Sequence, residues 1–126
     1  MRAIDTNVLL RLIIRDDELQ LAAAEAFIEK GAWISLIVAA ETMWVLSSLY
    51  KASPQEVSAL LEVLLDNPLL SFQEPEIVRA ALSQLRRRPS LKFADCLVLE
   101  LARGNGYLPL GTFDRDLSKL DGTERL

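Results

Sequence analysis

Short apolar runs alternate with longer segments of helical apolar spacing along this chain, and that alternation limits its fold more than any other feature. Ala3-Ile4 reads as a buried strand that stops at Asp5-Thr6-Asn7, residues suited to cap a helix over Val8 to Ile14. Leu19, Ala22, Ala23, Ala26 and Phe27 support a helix from Leu19 to Lys30 that ends at Gly31, and Ala32-Trp33-Ile34 follows as a strand. Ser35 caps the next helix, about Leu36 to Lys51, which is apolar nearly all round and is expected to be central. Ser53-Pro54-Gln55-Glu56 starts another, with Val57, Leu60, Leu61, Leu64 and Leu65 on one stripe until Asn67-Pro68. Leu69 to Phe72 reads as a third strand, Pro75 to Arg88 as an amphipathic helix ended by Pro89, and Phe93 to Arg103 as a helix stopped by Gly104-Asn105-Gly106. Tyr107 to Leu110 is a fourth strand, Asp114 to Leu120 a short helix, and Thr123 to Leu126 a very short edge strand. The alternation predicts an α/β fold: a doubly wound parallel sheet of about five strands with helices on both faces. Right-handed crossovers bring the strand C-terminal ends to one edge, where open α/β sheets bind ligands.

At 126 residues the chain fits one domain, 1–126, without disulfide support, and the single Cys96 excludes an internal bridge. An apolar content of 51% with a mean hydropathy of +0.21 suggests a dense core or an additional face for a partner, so oligomerisation is expected. The Val57 to Leu65 stripe and the Leu9 to Phe27 region hold the surplus aliphatic side chains. The N-terminus has neither signal-peptide nor transit-peptide character, which makes the cytoplasm the default. No stretch approaches the ~20 apolar residues of a spanning helix, so no membrane is expected. A net charge of -4 argues against broad, non-specific duplex binding. Local charge still allows a nucleic-acid substrate: Arg86-Arg87-Arg88 and Lys92 form a basic cluster ahead of Asp95. The alternative for the arginine run is a solvated helix end whose cations complement the macrodipole.

Four acids interrupt apolar segments. Asp5 closes the first strand, Glu41 lies among Val38, Ala39, Ala40, Met43, Trp44 and Val45, Asp95 lies inside Phe93 to Leu99, and Asp114 follows Phe113. Burying a carboxylate costs several kcal/mol unless a cation or hydrogen bonds compensate, and Glu41 has no basic residue one helical turn away. In the expected layout the four converge on one crevice, where at least one pKa rises unless divalent ions reverse the repulsion. Acids without any histidine or cysteine cluster select a hard ion such as Mg2+ or Mn2+ over zinc. Taken singly, Asp5 and Asp114 fit helix caps and Asp95 a favourable place in the helix dipole, whereas Glu41 fits no cap. Asp116 is a candidate fifth, outer ligand or part of an ordinary polar helix start. Thr6, Asn7 and Thr112 are placed to orient carboxylates or a bound water. Cys96 reads as a core residue, and Trp33 and Trp44 as packing or interface.

Ala3-Ile4-Asp5-Thr6-Asn7-Val8-Leu9, Ala40-Glu41-Thr42 with Trp44-Val45-Leu46, Phe93-Ala94-Asp95-Cys96-Leu97, and Thr112-Phe113-Asp114-Arg115-Asp116-Leu117, in that order, resemble PIN-domain ribonucleases. The match is nearest to the small toxins of VapC type from prokaryotic toxin–antitoxin pairs, and it covers essentially the whole chain. Lys92 departs from the small or polar residue expected ahead of Phe93-Ala94-Asp95. The resemblance implies a five-stranded PIN sheet, RNA cleavage dependent on one or two Mg2+ or Mn2+ ions, a homodimer, and a cognate antitoxin that wraps the toxin. It assigns the acidic quartet to Asp5, Glu41, Asp95 and Asp114, and a less constant extra acid to Asp116. Arg86, Arg87, Arg88, Lys92 and Arg115 are then candidates for contact with the RNA backbone.

The rivals are a phosphoacceptor receiver-like signalling domain, a PIN nuclease that is not a toxin, and a silent PIN fold used for protein binding. A receiver predicts an adjacent acid pair after the first strand and a lysine closing a late strand; here Asp5 leads to Thr6-Asn7, and Leu108-Pro109-Leu110-Gly111 leads to Thr112. A silent PIN fold is expected to have lost an acid, whereas the quartet is complete.

Overall fold

A computed structural model describes residues 1–126. Four of its helices start at side-chain caps that the sequence supplies. Thr6–Ile13 (α1) begins where the Asp5 carboxylate accepts the Val8 N–H at 3.0 Å, and Glu18–Ile28 (α2) where Asp17 accepts that of Gln20 at 3.0 Å. Leu36–Ser48 (α3) starts at Ser35, and Pro54–Asp66 (α4) at a reciprocal capping box between Ser53 and Glu56. Pro75–Arg87 (α5) and Phe93–Gly104 (α6) begin without a side-chain cap.

The strands are Arg2–Ala3 (β1), Ala32–Ile34 (β2), Leu70–Phe72 (β3), Leu110–Thr112 (β4) and Thr123–Arg125 (β5). All pairings are parallel, and the alternation of strands with six helices bears out the α/β expectation. The strands form two hydrogen-bonded groups, a three-stranded sheet in the order β1-β2-β3 and a separate β4-β5 pair. Register is set by Ala3 opposite Trp33, Trp33 opposite Ser71, and Gly111 opposite Glu124.

One cluster of 25 buried residues forms the core. Leu9 of α1, Ile34 of β2, Met43 and Leu46 of α3, Leu61 of α4 and Leu99 of α6 are its largest fully buried side chains, so a strand and four helices meet in it. Truncating any of these to Ala would cost about 2–5 kcal/mol.

Four local expectations change. The fourth strand starts at Leu110 and not Tyr107, because Pro109 has no N–H to donate; the ladder opens with Leu110 N–H on the Gly122 carbonyl at 2.8 Å. The helix expected over Asp114 to Leu120 is only a 3-10 turn, Leu117–Lys119. α3 stops at Ser48, short of Lys51, which takes a left-handed φ of 57°. Nor is α3 buried all round: Ala39, Thr42, Met43 and Leu46 face the core, while Ile37 and Trp44 are exposed. The α4 stripe, by contrast, is consumed internally, since Val57, Leu61 and Leu64 are buried and Leu60 and Leu65 pack against the core. Leu9 and Leu10 are likewise buried, which leaves Leu19 as the main exposed aliphatic side chain between Leu9 and Phe27.

Candidate functional site

The first acid comes from the turn between β1 and α1. One Asp5 oxygen caps α1 through Val8, so the cap and the ligand candidate are the same residue with its second oxygen left over. Thr6, the next residue, is buried, and its hydroxyl donates to Glu41 Oε1 across to α3. Asp5, Thr6, Asn7 and Glu41 line one hollow of about 440 Å³ together with Arg11 and Tyr50. Glu41 itself is exposed. The expected burial penalty therefore does not act on it, because it lies on the solvent-facing side of α3; what holds it is the Thr6 hydroxyl.

The second pair comes from α6 and the turn after β4. Asp95 is half-buried in the first turn of α6, and Asp114 is exposed two residues past β4. The Asp114 N–H donates to Thr112 Oγ1 at 2.9 Å, and its Oδ1 accepts the Leu117 N–H at 2.8 Å. Thr112 thus fixes the backbone of Asp114, not its carboxylate. Burial, and then the negative charge of Asp114, push the Asp95 carboxyl above its ordinary value, while Lys92 pulls it back. Asp114 is therefore within electrostatic reach of Asp95, with Lys92 opposing it.

The quartet thus stands as two pairs, Asp5 with Glu41 and Asp95 with Asp114. No three of the chain's acids are grouped closely enough to enclose an ion as they stand. Their chemistry still suits a hard divalent cation: the donors are all oxygen, and the Asp95–Asp114 repulsion is of the kind that a cation relieves.

Asp116 is engaged elsewhere. Arg88 Nη1 donates to its Oδ1 at 3.2 Å and the Ser90 hydroxyl to its Oδ2, and these bonds, Ser90's foremost, hold its carboxyl below the ordinary value. Two of the three clustered arginines are ion-paired, Arg86 to Glu62 on α4 and Arg88 to Asp116. Arg87, Lys92 and Arg115 are exposed and belong to none of the ion pairs. Asn7 lines two hollows beside Asp5 and makes no side-chain hydrogen bond within the protein. Cys96 is buried, and burial pushes its thiol up to about 12, which leaves it inert.

Two residues escaped the sequence reading. Arg11 lines both hollows that flank Asp5 while bonded to Asp16 at 3.1 Å; its place four residues after Asn7 on α1 was the available signal. Glu100 is the one buried acid of the chain, held by Gln84 Nε2 at 3.2 Å and Arg103 Nε at 3.2 Å. Arg103 three residues on was its signal, and its role is to tie α5 to α6.

No helix is long and apolar enough to cross a membrane. No curated protein matches the chain. Residues 3–123 match the PIN domain family, and because that match spans nearly the whole length, the chain belongs to the PIN-domain family, whose members are generally metal-dependent nucleases.

Proposed function

We propose that this protein is a metal-dependent endoribonuclease and the toxin of a VapC-type toxin–antitoxin pair. The observation that carries the nuclease reading is the pairing of an acid that follows a strand with an acid on a helix: Asp5 shares a hollow with Glu41, which the Thr6 hydroxyl holds, and Asp114 lies within electrostatic reach of Asp95 at the start of α6. Asp5, Asp95 and Asp114 would hold one or two Mg2+ or Mn2+ ions, with Glu41 as a further ligand or as the residue that orients the attacking water. A bound ion supplies Lewis acidity toward the scissile phosphate and lowers the pKa of water. The chain's own contribution is placement. Thr6 fixes Oε1 of Glu41 and leaves Oε2 to orient a water, while Thr112 and the Leu117 N–H fix Asp114. Asp116 would join as an outer ligand through the lone pairs that Arg88 and Ser90 leave free. The substrate would be single-stranded or looped RNA, whose phosphates reach a recessed edge more easily than those of a regular duplex.

The toxin role, cytoplasmic action, homodimer and antitoxin rest on the motif resemblance, supported by exposed apolar side chains such as Leu19, Val63 and Val98 that a partner would cover. Purified protein should cleave RNA with Mg2+ or Mn2+ and stop in excess EDTA; cleavage undiminished by EDTA rejects the mechanism. Glu41→Gln should abolish cleavage and keep the fold. Expression alone should arrest growth and co-expression of the antitoxin should relieve it. Growth unaffected by an active enzyme rejects the toxin role and leaves a PIN nuclease of another kind. A short upstream reading frame for a DNA-binding protein would support the toxin role.

A further inference from the structure

A second hollow, of about 350 Å³, lies between α3, the start of α4 and the turn that joins α5 to α6. Its lining is mainly hydrophobic and includes the buried Met43, Val57 and Leu91. The only charged residue that lines it is Lys92, which is exposed and in no ion pair. Trp44 forms part of the wall with 54% of its surface open, a large exposure for an indole in a domain of this size. Ala40 and Ala94 also line the hollow, and they are the chain neighbours of Glu41 and Asp95, so α3 and α6 each contribute to it a residue adjacent in the chain to one of the acids.

We propose that this hollow is a nucleobase subsite, in which Trp44 stacks on a base next to the scissile phosphate and Lys92 contacts the adjoining backbone. The inference rests on the nuclease reading and adds a recognition element to it. A flat aromatic face, a free cation and an apolar recess are the components with which proteins hold single-stranded nucleic acid. The rival occupant is a second copy of the chain, and the spacing of α3 argues against it. Ile37, Glu41 and Trp44 follow each other at intervals of four and three residues on the exposed side of the helix, with Glu41 between the two apolar side chains. A protomer packed permanently across that line would bury Glu41, whereas a substrate strand passes over it transiently.

Of the three serines that line the hollow, Ser47 is bonded to the carbonyls of Met43 and Trp44 and Ser90 to Asp116, which leaves Ser48 as the one hydroxyl without a partner in the protein and the aromatic face as the larger contact. Selectivity should therefore follow stacking strength, with purines favoured over pyrimidines.

Trp33→Phe leaves Trp44 as the sole tryptophan, and its fluorescence reports the subsite independently of cleavage. With Mg2+ present, a short oligoadenylate should quench it, oligouridylate less, and an abasic strand of equal length hardly at all. Trp44→Ala should raise KM for RNA about tenfold with little change in kcat, Trp44→Phe should recover most of the loss, and Lys92→Ala should flatten the salt dependence of binding. Equal quenching by the abasic strand, or an unchanged KM in Trp44→Ala, overturns the proposal. So does a parent that scatters light as a dimer and a Trp44→Ala variant that scatters as a monomer, which would assign the face to a second copy. Cleavage that persists while Trp44 stays silent rejects the subsite alone. Absence of both metal-dependent cleavage and metal-induced stabilisation rejects the nuclease reading.

Discussion

Asp116 shows how a carboxylate beside a candidate metal ligand can serve the frame of the site. Its two oxygens are taken by Arg88 and Ser90, which fastens the turn before α6 to the turn that carries Asp114. Asp116→Asn should therefore lower the melting temperature while leaving the rise on adding Mn2+ intact; loss of that rise would make Asp116 a ligand. The acid behaviour of the metal-free protein separates the two perturbed aspartates by sign. Asp116, whose folded pKa is lowered, contributes stability above its unfolded value that is lost as pH falls through the folded one. Asp95, whose folded pKa is raised, does the reverse: its contribution is full below the unfolded pKa and is lost as pH rises through the folded one. In EDTA, Asp116→Asn should thus reduce the loss of stability on acidification, and Asp95→Asn should reduce the loss as pH climbs out of the acid range, both read from melting temperature against pH. Cys96, with its thiol pushed up to about 12, should resist alkylation until the protein unfolds.

At the scale of elements, the caps were the most legible feature of the sequence. Asp5, Ser35 and the Ser53/Glu56 box each start a helix because the side chain that satisfies the first N–H groups is encoded locally. Two things were not encoded locally. Pro109 moves the start of β4, and only the partner strand shows which N–H first enters the ladder. The open side of α3 was hidden because composition reports how apolar a helix is and not how many neighbours it has, so Glu41 looked buried when it is exposed. The acids themselves could be read from their places in four motifs, whereas their division into two pairs depends on contacts between distant segments. The arginine run is similarly divided by its partners on α4 and in the turn after β4, so replacing all three would mix phosphate contact with stability. Arg86→Ala should cost at most about 1 kcal/mol, as an exposed pair does, with no change in the salt slope of RNA binding. Arg87→Ala should leave stability unchanged and lower that slope if the helix end meets phosphate; an unchanged slope makes Arg87 a solvated cation at the end of α5.

Across the whole molecule, the division of the strands and the division of the acids run in parallel. Asp5 and Glu41 belong to elements around the β1-β2-β3 sheet, whereas Asp114 belongs to the β4-β5 pair, with Asp95 facing it from α6. No backbone ladder joins the two groups of strands. Side chains fasten β4-β5 to the helices: Arg103 reaches the Asp121 carbonyl at 2.7 Å while holding Glu100, and Arg88 holds Asp116. A divalent ion ligated from both pairs would add a cross-link between the groups of strands and cancel the Asp95–Asp114 repulsion, so its effect should extend beyond the site to global stability. At a hundredfold excess over its dissociation constant, Mg2+ or Mn2+ should stabilise the fold by about 2.7 kcal/mol. Asp114→Asn should lose most of that gain and, with one like charge removed, melt no lower than the parent in EDTA. Asp5→Asn should lose the gain as well if a single ion spans the two pairs, and keep part of it if each pair holds its own. Melting curves of the parent and both variants, with Mn2+ and with EDTA, separate these cases, and a parent whose melting temperature ignores the ion would rule out metal held by these acids.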